Sequence, residues 1–201
     1  MRWNDLFDDL EGQLEQELRA EERSLDAEEE RLRIGRLAVR DRIVAVQSAE
    51  RRHSAYSIRT RLVDGEVLQL RPATVGRDWF AGDIVSDVPA AHGQCIVPFS
   101  AVASFSLTRA QVARSLGASA SGEPEQNLPA RLTLSFVLRD LCRRRAAVEL
   151  RLRGSVVRGT IDRVGRDHLD LAVHEAGSSR RESAVTEYCV VPFEQLVLVR
   201  T

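Results

Sequence analysis

Two short passages of this chain occur twice, in the same order. Val75-Gly76-Arg77-Asp78-Trp79-Phe80 matches Val164-Gly165-Arg166-Asp167-His168-Leu169, and Cys95-Ile96-Val97-Pro98-Phe99 matches Cys189-Val190-Val191-Pro192-Phe193. Paired anchors separated by loops of different length mark a duplicated structural unit. The unit spans about 56–107 and again about 146–200, so the 201 residues are divided between two small cores.

Reading outward from the anchors gives short strands. In the second copy Ala147 to Arg153 alternates apolar with polar and ends at Gly154-Ser155, a turn; Val156 to Val164 follows, with Gly159 as a bend point. His168 to Val173 and Tyr188 to Val199 complete it, the last broken near Pro192. The first copy repeats the plan in Ile58–Val63, the turn Asp64-Gly65, Val67–Val75, Trp79–Val85 and Cys95–Leu107. A sheet of five short strands covers its apolar face by curling, which predicts a small five-stranded barrel for each copy.

A helix is predicted before each unit. Thr133 caps one running to about Arg144 with Leu134, Val137, Leu138 and Leu141 on one face; Leu37 to Gln47 forms the other, with Val39, Ile43, Val44 and Val46. The fold expected is α+β, mainly β: a long helix over 1–35, helix-plus-barrel modules over 36–115 and 131–201, and a flexible linker over 116–130 containing Gly117-Ala118-Ser119-Ala120-Ser121-Gly122. A short helix at Thr108–Ser115 precedes that linker.

From Trp3 to about Leu32 the sequence has no proline and one glycine, and strong helix formers fill nearly every position. Trp3, Phe7, Leu10, Leu14, Leu18, Leu25 and Leu32 form one narrow apolar stripe, the pattern of a coiled-coil seam and the candidate helix interface. The stripe is open to three uses: packing against the chain's own modules, self-association, or pairing with a different protein. Acidic residues including Asp8, Asp9, Glu21, Glu22 and Glu28 to Glu30 lie off the stripe; they suit both a solvated face and the positive end of the helix dipole.

Val157-Arg158-Gly159-Thr160-Ile161-Asp162-Arg163-Val164, followed by a short turn and a last strand with Val-Pro-Phe, resembles the second and closing strands of the Sm-like barrel, and Val-Pro-Phe also resembles the closing strand of PRC-type barrels. RNA-binding Sm-like proteins carry an acidic residue and an asparagine in the loop after the second strand; here that loop reads Gly165-Arg166-Asp167-His168, without the asparagine. The whole chain, its opening Met1 to Glu11 above all, is similar to a family of uncharacterised proteins of high-G+C Gram-positive bacteria. That similarity implies no activity.

Several chemistries lack their residues. The chain has no lysine, hence neither a P-loop lysine nor a Schiff-base lysine. His53, His92, His168 and His174 fall in unrelated contexts, and Cys95, Cys142 and Cys189 include no Cys-x-x-Cys pair. No catalytic, metal or cofactor-binding residue, and no small-molecule substrate, is expected. The N-terminus lacks the cationic start and apolar core of a signal peptide, and no run approaches the ~20 apolar residues of a membrane helix, so a cytoplasmic, reducing location is expected.

The formal net charge is −1, unevenly spread. Arg143, Arg144, Arg145, Arg151, Arg153 and Arg158 concentrate at the end of the second predicted helix and in the strands after it, and are the candidate surface for a polyanion or protein partner. Exposed aromatics for base stacking are scarce there. The reading expected is a non-enzymatic adaptor or regulatory protein that works through its acidic helix and arginine-rich second module; the alternative is an RNA- or DNA-binding protein of the ribosome or transcription machinery. The two differ in whether the arginines are open to a partner or already neutralised within the chain.

Overall fold

The uninterrupted helix formers of the N-terminus produce one helix, α1 (Trp3–Gly35), of 33 residues and about 50 Å. The computed structural model describes residues 3–50, 56–86, 93–117, 128–174 and 185–201, with the backbone alone for residues 3–10. Two units result, Met1–Val39 and Arg40–Thr201. In the first, ion pairs one turn apart support the helix: Glu15 with Arg19 at 2.9 Å and Glu30 with Arg33 at 2.6 Å. The Arg33 guanidinium holds the Glu30 carboxyl below its ordinary value, and as a last-turn cation it suits the negative end of the helix dipole.

The second unit contains helix α2 (Val39–Glu50) and strands β1 (Ile58–Leu62), β2 (Val67–Val75), β3 (Trp79–Val85), β4 (Gly93–Pro98) and β5 (Val102–Ser106). Helices α3 (Arg109–Leu116), α4 (Leu128–Arg131) and α5 (Leu134–Arg143) follow. Strands β6 (Ala147–Leu152), β7 (Val156–Val164), β8 (His168–Val173), β9 (Glu187–Pro192) and β10 (Leu196–Arg200) complete it. Most of the linker expected over 116–130 lies outside the described residues; Leu116 ends α3, and Leu128–Arg131 is the short helix α4.

The duplication is visible in the register. Trp79 lies opposite Pro98 in the first copy and His168 opposite Pro192 in the second. The bulge between Pro72 and Thr74 recurs between Ile161 and Arg163, and the one in β5 at Ala103 recurs in β10 at Val197. A single 3₁₀ turn follows each proline, at Phe99–Ala101 and Phe193–Gln195. The preceding helix grips the same two points each time: Gln47 Nε2 donates to the Ala73 carbonyl at 2.5 Å and Cys142 Sγ to that of Asp162 at 3.3 Å, while Arg40 and Arg139 donate to the carbonyls of Gly76 and Gly165.

The two separate five-stranded barrels expected from the sequence are not formed. All ten strands belong to one open antiparallel sheet in the order β5-β1-β2-β3-β4-β10-β6-β7-β8-β9. Each copy keeps the internal order fifth-first-second-third-fourth, and the fourth strand of the first copy pairs with the fifth of the second, Ile96 opposite Val199 and Cys95 opposite Arg200. The open edge that a small curled sheet would close upon itself is closed instead by the neighbouring copy, which gives those backbone groups equivalent partners.

This junction exchanges side chains between two cores. The first core gathers Ile43, Val46, Ile58, Leu62, Leu70, Phe80 and Val97 and also receives Val197 and Leu198 from β10. The second gathers Leu134, Leu138, Val148, Leu150, Ile161, Leu169 and Val191, and also receives Trp79 and Ile96 from the first copy. The turn at Gly76–Asp78 holds the start of α5: Asp78 Oδ1 accepts the Leu134 N–H at 2.8 Å, while Trp79 Nε1 and the Arg77 N–H both donate to the Leu132 carbonyl at 3.0 Å. Thr133, the expected cap, makes no side-chain cap bond; Asp78, 56 residues before Leu134, supplies the acceptor instead.

Candidate interaction surfaces

On α1 the described members of the apolar stripe are exposed. Leu14, Leu18, Leu25 and Leu32 are 58%, 51%, 62% and 58% exposed. The side chains of Trp3, Phe7 and Leu10 lie outside the described residues. Leu18, Leu25 and Leu32 recur every seven residues, and three or four positions away on the same side stand Leu14, Glu21 and Glu28. Residues 3–35 carry twelve carboxylates and four arginines, a net of −8 in a chain whose total is −1.

Most of the six candidate arginines have a carboxylate beside them, although Arg143, Arg144, Arg145 and Arg158 keep more than half of their side-chain surface exposed. Arg143 and Arg144 both pair with Asp140, the second at 2.6 Å. Arg145 reaches Asp162 at 3.1 Å, and Arg158 reaches Glu149 at 2.6 Å. Arg151 pairs with Glu66, with Asp64 at 4.0 Å, so it ties the second copy to the β1–β2 turn of the first. Arg153 Nε donates to the Glu194 carbonyl at 3.1 Å. Five of the six thus have a carboxylate neighbour, and a phosphate would compete with partners already in place. The Asp140 pairs lie one helical turn apart and could be read from the sequence, whereas Asp64, Glu66 and Asp162 reach Arg151 and Arg145 only through the folded sheet.

A cavity of about 290 Å³ lies beside the junction, lined by Trp79, Ala81, Asp83, Cys95, Ile96 and Val137 among others. Burial pushes the Cys95 thiol up to about 12, opposed by the Arg200 cation and reinforced by Asp83, which disfavours the thiolate at neutral pH. Among the described residues no group of three or more His, Cys, Asp or Glu side chains is placed to hold a metal. His174 is buried against the Thr160 hydroxyl at 2.9 Å, and His168 Nδ1 lies 2.8 Å from Asp167, whose carboxyl is held below its ordinary value chiefly by that hydrogen bond. Within the described residues no helix is long and apolar enough to cross a membrane.

No family model, curated protein or solved structure matches the chain. Its functional reading therefore rests on its own surfaces, and one of them gave no signal in a local reading of the sequence. Among the described residues strand β9 is an edge of the sheet, paired with β8 alone, and it presents Tyr188 and Val190 at 63% and 67% exposure. Val190 occupies the place in the second copy that Ile96 holds in the first, where Ile96 is 8% exposed. Only comparison of the copies, position by position, brings this out.

Proposed function

We propose that this protein is a non-enzymatic adaptor whose N-terminal helix captures a basic amphipathic helix of another protein. The observation that carries this reading is the exposure of Leu14, Leu18, Leu25 and Leu32 along one seam of an acidic helix. An exposed heptad stripe is stabilised by a second helix, where each leucine enters a hole between four facing side chains. The charge chooses the kind of partner. Two copies of α1 aligned along the seam would bring Glu21 and Glu28 against their own counterparts and set −8 beside −8, whereas a helix with arginine or lysine at the facing positions turns those carboxylates into interhelical pairs. The ten-stranded sheet is then the folded body that carries the helix. The nucleic-acid alternative receives less support, since the arginines that would meet a phosphate backbone have carboxylates beside them.

The test uses the full chain and a synthetic helical peptide with leucine at every seventh position flanked by arginines. Saturable binding that weakens with salt, and weakens at least tenfold in the double variant Leu18→Asn, Leu25→Asn, is expected. Binding unaffected by those substitutions, or none at low salt, would overturn the proposal.

A further inference from the structure

The two copies allow a controlled comparison at the fourth strand. In the first copy β4 has neighbours on both sides, β3 and β10; in the second, among the described residues, β9 has β8 alone. Ile96 and Val190 occupy the same place, 8% and 67% exposed, and the difference is the added strand together with what it carries over the face. The fourth strand of this unit is therefore built to accept another antiparallel strand, and on β9 that position stands open with Tyr188 and Val190 beside each other on one face.

Two occupants of similar chemistry are available on a second copy of the chain: its β5, which would repeat the inner junction, or its β9. Side chains decide between them. The inner junction depends on Val197 and Leu198, which lie in the opposite core, and on Trp79 and Ile96, which do the same in return. In β5 the equivalents of Val197 and Leu198 are Ala103 and Ser104, both exposed, and in the second copy the equivalent of Trp79 is His168. A β9·β5 joint would thus lose three of the four apolar side chains that make the inner one. A β9·β9 joint loses none of its own: antiparallel pairing centred on Cys189 sets Tyr188 opposite Val190 of the second copy, twice, about the twofold axis. The ladder runs over Glu187–Val191 and stops at Pro192, which has no N–H to donate.

We infer that β9 is a self-association edge, on which a second copy of this chain adds its own β9 antiparallel, Cys189 facing Cys189, to form a symmetric dimer with a continuous twenty-stranded sheet. This surface is distinct from the α1 seam and does not depend on it.

Directly opposed residues in an antiparallel pair have Cα atoms about 4.5–5.5 Å apart, within the ~4.4–6.8 Å that a disulfide spans. Oxidation of the full chain with copper–phenanthroline at pH 8.5 is expected to give a covalent dimer on non-reducing gels, lost in Cys189→Ser and retained in Cys142→Ser. The moderately alkaline pH offsets the raised value of the Cys189 thiol, which burial and the Glu187 carboxylate both push up. The Leu18→Asn, Leu25→Asn variant is expected to cross-link equally well, which separates this dimer from any contact through α1. In sedimentation velocity Val190→Asp, at an exposed position, should shift the dimer to monomer at least tenfold in dissociation constant without changing the circular dichroism spectrum; Tyr188→Lys provides the same shift if Val190→Asp lowers folding. Absence of a Cys189-linked dimer would overturn the inference. So would a ladder of oligomers in Ser106→Cys, since Ser106 faces Cys189 only in the β9·β5 joint.

Discussion

Cys95 sits where the two copies meet, buried on β4 opposite Arg200, and its thiol is pushed up to about 12 from an ordinary 9.0 because burial disfavours the thiolate. The folded state thus holds this proton more tightly than the unfolded state does. The stability it contributes is complete below about pH 9 and is lost as pH rises toward 12. The urea midpoint of the wild-type chain should fall over that window more steeply than that of Cys95→Ala, and matching slopes would show that the thiol is not the cause. Gly159 is a second residue whose identity follows from its neighbours. A Cβ there would overlap the Ala172 carbonyl of the adjacent strand, and one at Gly82 would overlap the Arg71 carbonyl in the same way. Gly159→Ala forces backbone to move and should cost about 1–3 kcal/mol in urea unfolding. A cost under ~0.5 kcal/mol would mean that the strands separate freely at that point.

Among elements, those with strong local signals were legible. The α1 stripe, the helix ahead of each unit, the short helix that became α3, and nearly every strand follow from periodicity and turn residues. Pairing between copies was not predicted, although a trace of it is present: Leu196-Val197-Leu198-Val199 is apolar without a break, as befits a strand buried on both faces, whereas β5 reads Val102-Ala103-Ser104-Phe105-Ser106. The start of α5 was placed correctly, with Thr133 at the N-cap position, but the group that caps it was missed for a related reason. Its cap comes from Asp78, which no window around Thr133 contains. Asp78→Ala should cost about 1 kcal/mol, a few degrees in Tm for a unit of this size, and Asp78→Asn, which keeps an acceptor, considerably less. Equal losses in the two variants would assign the effect to something other than the cap.

For the whole molecule, the exchange of side chains is expected to make the two copies unfold as one cooperative body. A fragment of residues 131–201 would leave Val197 and Leu198 without the first core and would lack Trp79 and Ile96 in the second. It is expected to stay unfolded or molten by circular dichroism and amide dispersion, while 40–201 folds and melts in a single transition. A well-dispersed spectrum from the short fragment would show that each core suffices alone. The arginine cluster is likewise a property of the whole, since Arg151 finds Glu66 only because the copies lie side by side.

The small residues at Ala103 and Ser104 have a consequence for growth. A joint between unlike edges repeats without limit unless its rotation happens to close, so a chain that kept valine and leucine on β5 would present, at its two ends, the halves of a contact it already makes internally. Such molecules would add end to end into fibres. Ala103, Ser104 and His168 deny the β9·β5 joint the side chains of the inner one, and the triple change Ala103→Val, Ser104→Leu, His168→Trp is expected to favour such end-to-end growth, visible as large species in sedimentation velocity.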